Sequence, residues 1–439
     1  MTTRRRLLSL VAAAGAASAA GCSLSGDDEE PEYDETAIAD VTTGDVPTVD
    51  PTLPVGPADE HVEASLTRAR ELLDRVPESV SSSEVPNGVI RTRIERRRSE
   101  AAEYLKSVVE PEATLEGLYR TRRAREDATG VETMYAVSVR ERTLEDVLGR
   151  VESVGEDLED VEADFGYRGE GLVETLVTAG TAERYLATAR RILSSPEGRH
   201  NDSEVMAAAE AGERIETAAA HVEDARHVRE RFAASQDDPD EFEATFEAAL
   251  ESLRADLLKR CSEYDDMYRA TPSSLVDASI EDTPAEGVLD TQLFRVRADC
   301  DRPEEDDDGF LARRLLRVHG AYHNVLVLSE ALERIEDGQF RMPADAAALD
   351  DRRTRATNAI ESAESATRHP RLTSRRLDNA TSHVNRGDET GARPASSDTV
   401  ERTAREYDVA FVMAATATNA TEWLVDGLRS AAAERRERF

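Results

Sequence analysis

Apolar periodicity is the sequence feature that most restricts what this chain can fold into. From Ala58 onward, apolar residues recur at intervals of three and four, and the helix formers Ala, Leu, Glu and Arg dominate. Runs of alternating polar and apolar residues, which would predict strands, are few. The pattern breaks at proline and glycine, for example at Pro77, Gly130, Pro239 and Pro370. The sequence therefore predicts an all-α fold.

The predicted helices account for most of the chain after residue 57. Their connections are short, which favours antiparallel neighbours within one chain. We therefore expect a multi-helix bundle with long antiparallel, heptad-patterned helices. The predicted ranges are 58–76, 88–110, 111–127, 131–165, 170–194, 203–234, 240–270, 285–300, 310–337, 344–368, 371–386 and 397–438.

Three of these helices carry a sustained seven-residue apolar pattern, which predicts a buried contact stripe. The stripe in 131–165 consists of Val137, Leu144, Val147, Val151, Val154, Leu158, Val161 and Phe165. The stripe in 203–234 is built mostly of small residues, Ala208, Ala211, Ile215, Ala218, Val222 and Ala225. The stripe in 397–438 consists of Val400, Ala404, Tyr407, Phe411, Ala414, Thr418, Thr421, Val425, Leu428 and Ala432. Packing inside the chain is favoured over intermolecular coiled coils because the connections are short.

The N-terminus has the pattern of an export signal. Arg4-Arg5-Arg6 precedes an apolar stretch, 7–20, which is too short to be a stable membrane anchor and ends at Ala20-Gly21-Cys22. This combination resembles twin-arginine-exported lipoproteins. The resemblance is limited to this segment and implies a signal peptide at 1–21 and a lipid on Cys22. The alternative is a secreted protein with a chance cysteine at the cleavage site.

The chain is strongly acidic, with 55 Lys and Arg residues against 91 Asp and Glu and a formal net charge of −36. Lysine is almost absent, since only Lys106 and Lys259 occur. This composition resembles that of secreted proteins of salt-loving archaea, in which concentrated salt screens the self-repulsion of acidic side chains. The acid is spread along nearly every segment, which argues against one acidic binding face. We expect no binding to nucleic acid, because the sequence has no stripe of basic residues that could neutralise phosphates.

Residues 22–57 differ in composition from the rest. Residues 23–57 contain ten acidic residues, five prolines and no Lys or Arg, which is typical of an extended, disordered tether. A short docking element formed by Tyr33, Ile38 and Val41 is the alternative. Residues 58–439 are then expected to form one helical, extracytoplasmic domain with two sub-bundles and a possible boundary at 271–287.

Cysteine usage fits an exported protein. If Cys22 carries a lipid, two thiols remain, Cys261 and Cys300, which suggests a disulfide. Closing a loop of about 39 residues would contribute on the order of 4 kcal/mol in the chain-entropy model. Two separate buried thiols are the alternative.

Motifs that would indicate a particular chemistry are not found in the sequence. It contains no phosphate-binding glycine loop, GxSxG, HExxH or CxxC. His319 and His323 lie four residues apart on a predicted helix and are the best metal candidates. A third ligand is not nearby in sequence, so a hydrogen-bonded histidine pair is the favoured interpretation. We expect no metal and no cofactor.

Three weaker patterns were weighed. Glu197 and His200 have Glu-x-x-His spacing but follow a helix break, and a di-iron bundle needs two such motifs. Residues 304–309 resemble the start of a calcium loop, but Leu315 stands where a bidentate glutamate is needed, which favours a solvated turn. Asn201 begins an N-x-Ser/Thr sequence in a break and is the candidate glycosylation site.

These features favour a non-enzymatic, membrane-anchored surface lipoprotein that docks to membrane or envelope components. The expected location is the outer face of the cytoplasmic membrane, with a membrane or envelope protein as partner. One alternative is an extracytoplasmic solute-binding receptor, and another is an exported enzyme whose site uses scattered carboxylates. A pocket of at least about 300 Å³ with convergent polar groups would favour the receptor or the enzyme.

Overall fold

The computed structural model describes residues 33–108, 112–197, 203–264, 271–301 and 309–438. These residues form an all-α multi-helix bundle, which confirms the predicted fold class. Two short strands, β1 (Arg168–Gly169) and β2 (Asp240–Glu241), pair antiparallel. The helices are α1 (Glu35–Val41), α2 (Asp59–Asp74), α3 (Gly88–Ser107), α4 (Leu115–Ser138), α5 (Leu144–Leu148), α6 (Arg150–Ala163), α7 (Leu172–Leu193), α8 (Glu204–Ala234), α9 (Glu243–Cys261), α10 (Pro284–Asp301), α11 (Leu311–Glu336), α12 (Ala346–Ala366), α13 (Pro370–Gly391) and α14 (Ser397–Arg438).

The helices form two groups, each built around one long helix. In the first group, α8 packs against α4, α5, α6 and α7, whereas in the second α14 packs against α9, α10, α11, α12 and α13. Contacts between α7 and α11 join the groups, and the buried Glu183 accepts hydrogen bonds from Tyr167 Oη (2.5 Å) and from the main-chain N–H of Ala312 (3.3 Å). The region 271–287, where the sequence suggests a boundary, comprises the connection from α9 to α10 and the first turn of α10, and it therefore lies inside the second group.

The small-residue stripe of α8 is buried in the core of the first group, and Gly212, outside the stripe, faces α4. All six stripe residues are at most 2% exposed. A Cβ atom added to Gly212 would lie 2.6 Å from Thr133 Oγ1 of α4, which is closer than real side chains allow. Glycine at this position therefore sets the separation of the two helices.

The stripe of α14 is buried within the chain. This helix has 42 residues and a length of about 60 Å at 1.5 Å per residue. Seven of the ten stripe residues are at most 1% exposed, namely Val400, Ala404, Tyr407, Ala414, Thr421, Val425 and Leu428. The other three, Phe411, Thr418 and Ala432, are half-buried. The predicted packing inside the chain is confirmed, and this stripe is not an open docking face.

The predicted helix 131–165 is wrong in its boundaries. α4 continues through Gly130, and the break occurs at residues 139–143. Arg140 adopts a left-handed conformation (φ 64°), and Thr143 and Asp146 form a capping box that starts α5. Val137 and Leu144 therefore belong to different helices. The capping box and the left-handed residue end one helix and start the next, although the apolar spacing continues across the break.

The predicted disordered tether is also wrong for the part that the structure describes. Residues 33–57, named here the N-terminal strap, include α1 and pack on the helical body, with Ile38 and Val49 at most 4% exposed. Arg353 donates to the main-chain carbonyl oxygen of Gly44, and Tyr33 Oη donates to that of Pro343 (2.8 Å). A few well-spaced apolar residues and these polar contacts hold a segment whose average composition suggests disorder.

Within the described residues, no helix is long and apolar enough to cross a membrane.

Candidate functional site

A cavity of about 1400 Å³ lies between the two helix groups. Its walls come from the start of α4, from α7 and α9, from the end of α10, and from α11 and α13. Residues 49–53, 56 and 57 of the N-terminal strap form a further wall. The cavity is larger than the roughly 300–1,000 Å³ of ordinary ligand pockets, and like many of them it lies where separate packing units meet.

The charge of this cavity is opposite to that of the chain. Five carboxylate residues line it, Asp50, Glu112, Glu116, Asp299 and Asp378. Eight arginines line it, Arg120, Arg184, Arg254, Arg313, Arg314, Arg317, Arg375 and Arg376. The whole chain carries 91 acidic residues against 55 basic ones, so an arginine excess in one cavity departs from its overall composition.

Three of these arginines, Arg184, Arg375 and Arg376, lie near one another and form no ion pair with a carboxylate in the part of the chain that the structure describes. They are named here the arginine cluster. Arg120 also forms none there, but it lies apart from them and donates to the main-chain carbonyl oxygen of Ser107 (2.8 Å). Arg184 is exposed on α7, whereas Arg375 and Arg376 are partly buried neighbours on α13. Most buried charges in proteins are paired, because an unpaired charge loses its hydration without compensation. The cluster is therefore the most unusual electrostatic feature of the cavity wall.

Arg375 has the most unfavourable environment of the three. Burial, reinforced by repulsion from Arg184 and Arg376, lowers the pKa of Arg375 to about 9. Its Nη2 donates to the main-chain carbonyl oxygen of Val177 (3.3 Å) and to Thr181 Oγ1, and its buried Nε has no hydrogen-bond partner among the residues that the structure describes. Arginine remains protonated at neutral pH even so. The fold therefore keeps a cation here that only neutral oxygens solvate.

Arg376 has carboxylates in its surroundings but does not pair with them. Burial lowers the pKa of Arg376, and the charges of Asp299 and Asp378 oppose that shift. Its buried Nε is also without a hydrogen-bond partner. Asp299 accepts from Asn324 Nδ2 (2.7 Å), and burial raises the pKa of Asp299. The nearest carboxylates thus compensate the cluster only in part.

The structure places the predicted histidine pair in the core of the second group. His323 is 1% exposed, and its Nε2 donates to the main-chain carbonyl oxygen of Met413 (2.9 Å). His319 is fully buried, and neither ring nitrogen has a partner among the described residues, so the expected hydrogen bonding holds for His323 but not for His319. Burial, with a contribution from the charge of Arg376, lowers the pKa of both rings. The described residues contain no group of three or more His, Cys, Asp or Glu side chains placed to hold a metal ion.

Of the other predicted sites, the structure describes the cysteine pair and leaves out the rest. Cys261 at the end of α9 and Cys300 on α10 form a disulfide with their Cα atoms 5.9 Å apart. Cys22, Asn201 and residues 304–308 lie outside the described residues.

The arginine cluster was not predicted from the sequence. None of the three arginines has an acidic residue four positions away on its own helix. Surface arginines of this chain often do, as in the pairs Arg96–Glu100 and Arg123–Asp127. Neither α7 nor α13 is rich in acidic residues, however, and Asp378 lies three positions after Arg375, so helix spacing alone does not identify the cluster.

Comparison with known proteins identifies two domain families. Residues 60–238 match the model of a domain of unknown function, DUF8262, and residues 243–426 match that of a second, DUF8264. No curated protein and no solved structure matches the chain. The first match covers α2 to α8, which includes the first helix group, and the second covers α9 to most of α14, which form the second group. The cavity is therefore lined by residues from both matched segments and by the N-terminal strap, which precedes them.

Proposed function

We propose that this protein is a lipid-anchored, extracytoplasmic binding protein for an anionic solute. The observation that carries the proposal is the arginine-rich cavity between the helix groups, in a chain that is otherwise strongly acidic. A concave site with one sign of charge and low-dielectric walls concentrates ligands of the opposite sign. Of the functions considered from the sequence, the receptor needs such a cavity, whereas a docking module does not.

The structure of the cavity supports solute binding over a purely structural role. Arginines that served only to hold the helices together would be expected to pair with the abundant carboxylates of this chain. Arg375 and Arg376 instead remain without ion pairs among the described residues and are partly desolvated. Such an arrangement lowers the stability of the empty protein and is typical of sites that an incoming anion completes.

Calorimetric titration of the full chain with anions tests the proposal. At one fixed potassium chloride concentration, phosphate, sulfate and citrate should be compared with the cations calcium and spermidine. We expect at least one anion to bind with a stoichiometry near one, and neither cation to compete with it. Arg184→Glu should weaken that binding at least tenfold, because it replaces a favourable charge by a repulsive one. Arg191→Glu, an exposed change on the same helix away from the cavity, is the control.

Absence of binding by every anion, with intact helical structure, would overturn the proposal. Equal effects of Arg184→Glu and Arg191→Glu would show that anions respond to overall charge and do not occupy the cavity.

The location is a separate part of the proposal. It rests on Arg4-Arg5-Arg6 and on Ala20-Gly21-Cys22, which resemble an export signal followed by a lipidation site. Two lipid chains would hold the protein stably at the membrane, since each buried methylene contributes about 0.8 kcal/mol. Cys22→Ser should release the protein from the membrane fraction or leave the signal uncleaved. Unchanged processing and membrane retention would contradict this part of the proposal. A membrane or envelope protein that receives the solute is the expected partner.

A further inference from the structure

We infer that the arginine cluster, Arg184, Arg375 and Arg376, binds a tetrahedral oxyanion group of the phosphate or sulfate type. This inference rests on the proposed function and specifies which group of the solute is recognised, and where. Three observations support it: the positive charge of the cluster, the burial of Arg375 and Arg376, and the position of all three arginines where α7 and α13 line the cavity.

The cluster brings three positive charges together from two helices. Arg184 belongs to α7 in the first group, and Arg375 and Arg376 belong to α13 in the second. Arg184 and Arg376 are close enough to Arg375 to lower its pKa by repulsion. Like charges held together by the fold need a counter-charge. Among the described carboxylates, Asp299 acts on Arg376, and Asp378 acts on both Arg184 and Arg376.

Arg375 lacks even that partial compensation. The groups that set its pKa are burial, the two neighbouring arginines and, to a smaller extent, Tyr185. Its Nη2 is fixed by Val177 and Thr181, so α7 holds the guanidinium in place before any ligand arrives. A preorganised cation of this kind loses little conformational entropy on binding, which increases the affinity for an anion.

The number of donors favours a tetrahedral oxyanion over a carboxylate. A guanidinium carries five N–H donors in a planar fork and suits both groups. A carboxylate offers two oxygens and one charge, whereas phosphate and sulfate groups offer three or four oxygens and up to two charges. Three neighbouring arginines on one cavity wall, with two nearby carboxylates, match the larger and more highly charged group better. The remaining volume of the cavity would hold the rest of the solute if the group is an ester.

Titration of the full chain with four probes tests this inference. Inorganic phosphate, sulfate, glycerol phosphate and acetate should be compared at the same potassium chloride concentration. We expect phosphate and sulfate to bind at least tenfold more tightly than acetate. Glycerol phosphate binding more tightly than phosphate would identify an ester as the source of the group, and the reverse order would identify the free anion. Both orders support the inference.

Substitutions at α13 locate the site. Arg375→Gln should weaken phosphate binding by about 10- to 100-fold, the range expected when a hydrogen bond to a charged group is lost. Arg375→Lys keeps the positive charge but not the planar set of guanidinium donors, and it should weaken phosphate binding less than Arg375→Gln does. Arg371→Gln, one helical turn earlier and outside the cavity lining, should change it by less than about twofold. Circular dichroism of each variant checks that the fold is retained.

The outcomes separate this inference from the proposed function. If anions bind but Arg375→Gln and Arg371→Gln have equal effects, the arginine cluster is not the site, and the proposed function stands. If acetate binds as tightly as phosphate and sulfate, the site prefers carboxylates and the assigned class is wrong. If no probe and no other anion binds, both the inference and the proposed function fail.

Discussion

Arg375 on α13 donates from Nη2 to the main-chain carbonyl oxygen of Val177 on α7, at 3.3 Å and across 198 residues of sequence. This bond joins the two helix groups at the wall of the cavity. It also fixes the guanidinium of a cation that has no carboxylate partner among the described residues. The same residue is therefore a tie between the groups and the expected centre of anion recognition.

The first prediction concerns the stability of the empty protein. Arg375→Met should leave the free energy of unfolding unchanged or raise it by about 1–3 kcal/mol, because an apolar side chain of similar size removes an uncompensated buried charge. Arg353→Met is the matched contrast. Arg353 is buried and forms two 2.9 Å hydrogen bonds with the carboxylate of Asp388. Its loss should cost about 3–5 kcal/mol because Asp388 is left unpaired. Urea denaturation measures both, and a comparable loss in both variants would contradict the assignment of Arg375.

The second prediction concerns the ion pairs between α4 and α8. Glu216 is 1% exposed and accepts from Arg125 Nη2 (2.8 Å) and Arg150 Nη2 (2.9 Å). Arg68 Nε also lies 3.4 Å from Glu216 Oε1. Glu216→Gln should lower the free energy of unfolding by about 3–5 kcal/mol, since three arginines lose their common partner. Glu223→Gln removes an exposed partner of the same Arg125 and should cost at most about 1 kcal/mol. Equal losses in the two variants would show that burial does not control the strength of these pairs.

The ion pairs of Glu216 should also make the free energy of unfolding depend on pH. Despite burial, its arginine partners lower the pKa of Glu216 to about 2, whereas an ordinary glutamate titrates near 4.5. A lowered carboxyl pKa gives a stabilisation that is present above the unfolded value and is lost as the pH falls from 4.5 towards 2. Glu216→Gln should therefore flatten the stability profile in this range. An unchanged acid slope would contradict the expected coupling.

The third prediction concerns the buried histidines. Burial lowers the pKa of His323 from 6.5 to about 3. Because the folded value is below the unfolded one, the unfolded state takes up protons first, and stability falls as the pH drops from 6.5 towards 3. At pH 5 this amounts to about 2 kcal/mol for a histidine that stays neutral in the fold. His323→Gln retains an N–H donor for Met413 and should reduce the slope of thermal stability between pH 7.5 and 5. If the thermal stability of wild type and variant changed with pH in the same way, the assigned role of His323 would be wrong.

The fourth prediction concerns the disulfide between Cys261 and Cys300. It closes a separation of 39 residues, and its removal should lower the free energy of unfolding by about 2–4 kcal/mol. The double substitution Cys261→Ser, Cys300→Ser should behave like the reduced wild type. A reductant should have no further effect on the double variant. Equal stability of oxidised and reduced wild type would contradict a structural role for the bridge.

The fifth prediction concerns salt. The formal charge of −36 is unscreened at low ionic strength, where the Debye length reaches about 30 Å at 0.01 M against about 3 Å at 1 M. Helical circular dichroism should therefore fall cooperatively as potassium chloride is diluted from molar concentration to 0.01 M. Sucrose at matched osmolality, which does not screen charge, should not restore it. Full helicity at 0.01 M would rule out a salt-dependent fold.

Some features of the fold follow from local sequence. The stripes of α8 and α14 were predictable because a helix repeats every 3.6 residues, so that apolar spacing in the sequence defines one buried face. The ends of α7, α11 and α12 were close to prediction because proline, glycine and polar caps act over one helical turn. The break after α4 was missed because the capping box of Thr143 and Asp146 lies within a continuous apolar pattern.

The sequence by itself determined three things: the helical class, the apolar stripes of α8 and α14, and the two cysteines that are able to pair in the folded domain. Only the tertiary structure decided that residues 33–57 pack on the body, that Arg184 meets Arg375 and Arg376, and that a cavity lies between them. The physical reason is range. Helix periodicity and capping depend on neighbours within a few residues, whereas the environment of Arg375 depends on helices that are nearly two hundred residues apart and on how closely they pack.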